Sequence, residues 1–195
     1  MYKRQVCGII GAEGDNGQFH AGLNWDIKLM LLEVFTFTSV FSAYNYAYEQ
    51  RKKYRESNGR EGAFVVVTNS SFGDNGRCED AIEFNMAYDS LGLEGILSAA
   101  ATVNSSANID LIGDIPTSCE SDFLITVANS NNTDNLTDSG FGRETIDLAA
   151  PGQAIPVLWT DGENFENGTS MSTPHVAGTI ALMYSIDCNL SLIHI

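Results

Sequence analysis

The chain is expected to be an α/β domain around a mostly parallel sheet, and three observations point there. Continuous apolar runs too short for helices recur at 63–68 (AFVVVT), 95–101 (GILSAAA) and 123–128 (FLITVA); a run with no polar face suits a strand covered on both sides. Segments of helical spacing at 39–56 and 79–91 lie before and after the first of them. Strands that alternate with helices need crossover connections, and crossovers give parallel pairing. With 195 residues, 44% of them hydrophobic, the chain has enough apolar material for one packed domain.

Residues 27–32 (IKLMLL) read as a short apolar strand. The helix expected from 39 to about 56 has Val40, Tyr44, Ala47 and Tyr48 on one side and Arg51, Lys52 and Arg55 near its end, where cations suit the helix dipole. Tyr44, Tyr46 and Tyr48 also resemble an aromatic carbohydrate-binding surface, but at this spacing Tyr44 and Tyr48 face the core. The run at 63–68 is a buried strand, and the helix at 79–91 is stopped by Gly92. Buried strands follow at 95–101 and 123–128, with shorter ones at 145–148 and 155–159. The last helix, 174–185 (PHVAGTIALMYS), is rich in small residues, with Pro174 placed near its first turn, where a missing N–H is harmless.

Charge excludes some functions. The net charge is −15, with 25 acidic and 10 basic residues. Sequence-independent nucleic-acid binding needs a basic surface, and this chain has the opposite sign. The basic residues crowd into the first part: residues 1–77 have a net charge of +1 and residues 78–195 of −16. Five of the ten cations fall in 51–60, which reads as a solvated basic patch. The uncharged run 34–48 contains Thr36, Thr38, Ser39, Ser42 and Asn45 and is no bilayer span.

The four cysteines, Cys7, Cys78, Cys119 and Cys188, lack the close pair spacings of zinc sites. Three disulfide pairings are open. A Cys78–Cys119 bridge and free buried thiols are equally compatible with the polar segments around those two residues. Six Asn-x-Ser/Thr sequons start at Asn69, Asn104, Asn131, Asn135, Asn167 and Asn189, weak evidence in an Asn-rich chain.

The sharpest local feature is 167–178, NGTSMSTPHVAG. Gly168 lets the backbone approach closely, and Ser170 lies just ahead of a helix whose free N–H groups and positive dipole end face whatever that serine attacks. Such a place stabilises a developing oxyanion, as acyl transfer requires. The plainer reading is that Ser170, Ser172 or Thr173 caps the helix. The whole string resembles the Gly-Thr-Ser-Met-Ala-x-Pro-His-Val-Ala-Gly signature around the nucleophile of the subtilisin-like serine proteases (subtilases), with Ser172 in place of the common alanine. The Gly-x-Ser-x-Gly elbow of other hydrolases fails at Ser172.

Other segments resemble the family in its order. Residues 65–73 (VVVTNSSFG) are similar to the strand and edge along which substrate lies, with Ser71, Phe72 and Gly73 at the corresponding places. Residues 98–104 (SAAATVN) resemble a specificity-pocket wall, Ala100 and Ala101, that ends at an oxyanion-hole asparagine, Asn104. Thr102-Val103 stands where the family has one glycine, so the register is open by one residue. An Asx-turn is the alternative role for Asn104. Gly168 and Thr169 complete the implied substrate contacts, and 146–152 (IDLAAPG) matches the stretch before the nucleophile.

At the N-terminus, 6–12 (VCGIIGA) resembles the end of the family's His-Gly-Thr-His-Val-Ala-Gly helix start. Tyr2 then occupies the position of the catalytic histidine, and Lys3, Arg4 and Gln5 replace Gly, Thr and His. The catalytic aspartate precedes that histidine in the family. The expectation is an N-terminally truncated peptidase domain over 6–190, with 1–5 and 191–195 as non-native ends. His20, His175 and His194 are each poor replacements for the base; His175 matches a non-catalytic histidine of the family.

The resemblance implies a subtilisin-like three-layer α/β fold, incomplete on its N-terminal side, and a secreted serine endopeptidase acting on protein or peptide substrates through an acyl-enzyme on Ser170. This chain itself is expected to be inactive for want of the Asp and His. The alternatives are a non-catalytic pseudoprotease that binds peptide along 71–73, and a structural or adhesive secreted module. No organic cofactor is implied. Structural calcium has possible oxygens in Asp15, Asn16 and Asp26, but their spacing fits no defined loop and reads as a polar turn.

Overall fold

The computed structural model describes residues 2–18, 20–159 and 162–186. Cys188, the sequon at Asn189, His194 and the 191–195 tail lie outside the described residues. The centre is a parallel sheet of four strands, β1 (Val67–Ser70), β2 (Leu97–Ala101), β3 (Leu124–Ser130) and β4 (Leu148–Pro151), in that spatial order. Their registers run Val67 to Leu97, Ser98 to Leu124 and Val127 to Leu148. β2 is buried along its whole length.

Helices cover both faces. α1 (Tyr2–Gly11) and α5 (Thr169–Ile186) lie on one side; α2 (Phe37–Glu56) and α3 (Glu83–Leu93) lie on the other. The strand period of two assigns alternate residues to these layers. Leu97 and Ala99 pack with Ile10, Val176 and Ile180, whereas Ala100 packs with Tyr44, Phe84 and Tyr88. The small residues of β2 let both layers come close. A short α4 (Ile109–Ile112) follows β2, and an antiparallel hairpin of β5 (Ile155–Trp159) and β6 (Gly162–Glu166) rests on α1 through Ile9, Ile155, Val157 and Met171.

α2 starts two residues earlier than the periodicity predicts, because Thr36 and Ser39 form a reciprocal capping box. Tyr44 is buried and Tyr48 is packed against the core, while Tyr46 is exposed. The basic run is not merely a solvated patch. Arg51 stacks over the Phe64 ring at 3.9 Å, and Arg55 makes two 2.9 Å bonds to the Glu94 carboxylate, so both tie α2 to neighbouring segments.

Several strand and helix expectations are corrected. Residues 27–32 form no strand: they have no ladder partner among the described residues, and Met30 and Leu31 are exposed. β1 begins only at Val67, since the start of the 63–68 run is held elsewhere, with the Ala63 N–H donating to the Gln50 carbonyl at the end of α2. Residues 79–91 divide into a 3-10 turn (Cys78–Asp80) and α3. Gly92 does not stop α3 but packs inside it: a Cβ there would lie 1.9 Å from Cγ of Phe123. β4 lies later than 145–148, because Thr145 is bonded to Asp110 and Asp147 to Thr126 by side chains rather than by a ladder. β6, with only Phe165 as an apolar signal, has no counterpart in the sequence pattern.

Cys78 and Cys119 are joined in a disulfide, Cys7 has no disulfide partner among the described residues, and burial pushes the Cys7 thiol pKa up. α1 runs from Tyr2 to Gly11 without a break, and Gln5 is 1% exposed, with its Nε2 3.4 Å from Glu166. Helix formation therefore does not divide residues 2–5 from residues 6–11.

Candidate active site

In a parallel sheet, the loops that leave the C-terminal ends of adjacent strands lie side by side. Here the loop after β1 carries Ser71, Phe72 and Gly73, and the loop after β2 carries Thr102, Val103 and Asn104. The first turn of α5 enters between them and brings Thr169 and Ser170. Together these segments enclose a cavity of about 280 Å³ lined by Phe72, Gly73, Ala101, Asn104, Asp114 and Ser170 among others.

Ser170 sits inside the first turn of α5 rather than just ahead of the helix. Pro174 is likewise interior, not in the first turn, and it cannot donate to the carbonyl four residues back, that of Ser170. The structure supplies another donor: the Ser71 hydroxyl bonds to the Ser170 carbonyl at 3.0 Å. The Ser170 hydroxyl in turn donates to the Ser71 carbonyl at 3.3 Å. This reciprocal pair locks the 71–73 edge to the start of α5. From behind, the edge is held by the buried hydroxyl cluster of Tyr44, Tyr88 and Ser70, with Tyr44 2.7 Å from Ser70 and 3.0 Å from Tyr88. Burial raises the Tyr88 pKa well above its ordinary value, so its hydroxyl stays neutral.

Asn104 is oriented by what it accepts. Its Oδ1 accepts the Thr169 N–H at 2.8 Å and lies 3.0 Å from the Thr169 hydroxyl oxygen, whose one proton goes to the closer Thr102 carbonyl. An amide whose oxygen is so engaged presents its NH₂ in the other direction. The Nδ2 group has no acceptor among the described residues, nor does the Ser170 N–H. Gly168, at φ +128°, makes this approach possible: a Cβ there would lie 2.7 Å from Oδ1 of Asn104. Asn104 thus reaches the helix start despite the additional residue in Thr102-Val103.

Of the predicted wall, Ala101 lines the cavity, but Ala100 does not. The alternation along β2 turns Ala100 into the core beside Tyr88. The sequence reading placed Thr102 near the pocket only loosely and missed Asp114; both line the cavity. The Thr102 carbonyl accepts from the Thr169 hydroxyl. Oδ2 of Asp114 accepts from the Thr102 hydroxyl at 2.9 Å, the Val103 N–H at 2.9 Å and the Thr117 hydroxyl at 2.7 Å. Burial pushes the Asp114 carboxyl up from its ordinary pKa, opposed by those bonds. The only sequence signal for this anchor was the extra residue at Thr102-Val103.

His175 keeps Nδ1 on its own helix, 2.8 Å from the Met171 carbonyl, and burial lowers its pKa. The ring of His20 lies against Gly8 of α1. The side chain of Tyr2 lies outside the described residues. No group of three or more His, Cys, Asp or Glu side chains capable of holding a metal occurs among the described residues. Asn16 directs its Oδ1 at the Gln18 N–H, 2.9 Å away, so the 15–18 segment fits a turn better than a cation site.

Ser172 is fully buried and its Oγ has no hydrogen-bond partner among the described residues. Removing an unsatisfied buried hydroxyl relieves its desolvation cost, so Ser172→Ala is expected to stabilise the domain by about 1 kcal/mol. A higher urea midpoint at unchanged slope checks this; a lower one shows that the hydroxyl has a partner in solution.

The fold and site define a three-layer α/β domain with a serine at a helix N-terminus, set beside an oriented amide. The subtilase family (Peptidase_S8) matches residues 4–191, and this chain belongs to that family. Among curated proteins it is 29% identical over 185 residues to alkaline protease 1 of Emericella nidulans, covering 93% of this chain and 42% of that protein. It is 38% identical over 115 residues to proteinase T of Parengyodontium album, covering 58% of this chain and 36% of that protein. It is 30% identical over 182 residues to the cell wall-associated protease of Bacillus subtilis, covering 92% of this chain and 18% of that protein. The chain therefore spans less than half the length of these relatives. A protease of Pseudoalteromonas arctica superposes with a TM-score of 0.79 at 22% identity, covering 98% of this chain and 60% of the other. Sphericase superposes with a TM-score of 0.77 at 22% identity, covering 99% and 66%. These two confirm the subtilisin-like fold.

Proposed function

We propose that this chain is the nucleophile-bearing part of a secreted serine endopeptidase that hydrolyses peptide bonds through an acyl-enzyme on Ser170. In this reading the Asn104 Nδ2 and the Ser170 N–H hold the oxyanion, and substrate lies along Ser71, Phe72 and Gly73. Ala101, Gly168 and Thr169 shape the cleft. The observation that carries it is the convergence of Ser170 with an asparagine whose oxygen is already taken by Thr169, leaving two unengaged donors beside one hydroxyl. No organic cofactor enters this chemistry. No helix among the described residues is long and apolar enough to cross a membrane.

The 195-residue chain by itself is proposed to be inactive. A serine hydroxyl needs an adjacent base to become a nucleophile, and that of Ser170 donates to a backbone carbonyl instead. Treatment with a fluorophosphonate probe is expected to leave Ser170 unlabelled under conditions that label an active serine protease. Stoichiometric labelling at Ser170, read by peptide mapping, would show that a base within these residues activates it. The Ser170–Ser71 hydrogen bond also favours a second reading, a non-catalytic module that binds peptide along the same edge without cleaving it. A longer form of the protein that labels at Ser170 excludes that reading.

A further inference from the structure

We propose that Asp114 makes the cavity beside Ser170 a pocket for a cationic side chain, lysine or arginine, on the residue preceding the scissile bond; this rests on the reading of that cavity as the substrate cleft. Asp114 is only 5% exposed and lines the cavity together with Ser170 and Asn104. Its two oxygens differ. Oδ2 takes the bonds from Thr102, Val103 and Thr117, which fix the carboxylate in place. Oδ1 has no hydrogen bond among the described residues.

The backbone directs that free oxygen. An antiparallel bridge pairs Asp74 with Ile115, each N–H donating to the other's carbonyl at 2.8 Å, so the 113–116 segment runs along the 73–74 edge. A Cβ built on Gly73 would lie 3.4 Å from Oδ1 of Asp114. The absent side chain at Gly73 leaves this approach open to the cavity. Asp74 adds a second carboxylate to the lining, and no Lys or Arg among the described residues lines it; the nearby Arg77 guanidinium is turned away to the Leu111 carbonyl.

A buried carboxylate with one oxygen unpaired is costly, and a cation that reaches it gains a charge-assisted hydrogen bond. An apolar side chain would bury that oxygen without a partner. The pocket should therefore favour a long cationic side chain over an apolar one of similar size.

The test uses the full 195-residue chain and three fluorescently labelled tetrapeptides that share Ala-Ala-Pro and end in arginine, citrulline or phenylalanine. Citrulline keeps the shape of arginine and removes its charge. Anisotropy titrations are expected to show arginine bound about tenfold more tightly than citrulline, the difference between a charged and a neutral hydrogen bond. Asp114→Asn should bring that ratio to about one. Equal binding of arginine and citrulline by the unmodified chain overturns the assignment without reliance on any variant. So does a preference that survives in Asp114→Asn. If none of the three peptides binds, the reading of the cavity as a substrate cleft fails along with it.

Discussion

Reduction of the Cys78–Cys119 disulfide is expected to destabilise the domain by about 4 kcal/mol, the largest single effect among these predictions. The two cysteines are 41 residues apart, and the chain-entropy relation for a loop of that size gives roughly this figure, within a usual range of about 2–5 kcal/mol. Packing should add to it. Cys78 and Cys119 both belong to the buried cluster of Tyr44, Phe84 and Tyr88, and the Cys78 N–H bonds to the Ser118 hydroxyl at 3.1 Å. The closed loop contains α3, β2, Asn104 and Asp114, so losing the bond frees the wall of the cavity as well as a core strand. Urea unfolding with and without a reducing agent measures the effect, and Cys78→Ser with Cys119→Ser should reproduce the reduced form. For a domain of this size, each kcal/mol is worth roughly 2–4 °C in Tm. A midpoint unchanged by reduction would mean that the bridge does not form in solution.

Gly152→Ala is expected to cost about 3 kcal/mol and to displace the turn that presents Ser170. A Cβ at this position would lie 2.1 Å from Oγ of Ser172, 2.5 Å from Oδ1 of Asn129 and 2.7 Å from the Gly168 carbonyl. Those atoms belong to α5, β3 and the turn that leads from β6 into α5, so no single side chain can rotate away and relieve all three contacts. Insertions into packed interiors cost about 1–3 kcal/mol, and contacts on several rigid segments place this one at the upper end. Gly152 also holds the turn directly, since its carbonyl accepts the Gly168 N–H at 2.8 Å. The double variant Gly152→Ala with Ser172→Ala removes the nearest obstacle. It should recover part of the loss, so that the two changes are non-additive. Strict additivity in urea unfolding would show that Ser172 is not what the new methyl meets.

The serine segment was legible because its parts are contiguous. Gly168, Thr169, Ser170 and Pro174 lie within two helical turns, and a local string can specify a helix start. Even there the sequence misplaced the boundary. It put Pro174 in the first turn, whereas the helix tolerates it further in because Ser71, distant in the chain, satisfies the freed Ser170 carbonyl. Asn104 was found through its neighbours Ala100 and Ala101, but its orientation depends on Thr169. Asp114 was invisible: a lone Asp before Ile-Pro has no signature until Thr102, Val103 and Thr117 gather around it. The apolar 27–32 run looked like a strand because hydrophobicity reports burial, whereas a strand also needs a hydrogen-bonding neighbour.

The sequence alone determined the α/β class, the position of the central strands and the serine-bearing helix, since these follow from periodicity and contiguous residue types. Only the tertiary structure decided the disulfide, the order of the strands in the sheet, the lock between Ser71 and Ser170, and the carboxylate facing the cavity. Each of those depends on groups far apart in the chain coming within hydrogen-bonding or covalent distance. Local patterns carry no record of such distances until the layers pack.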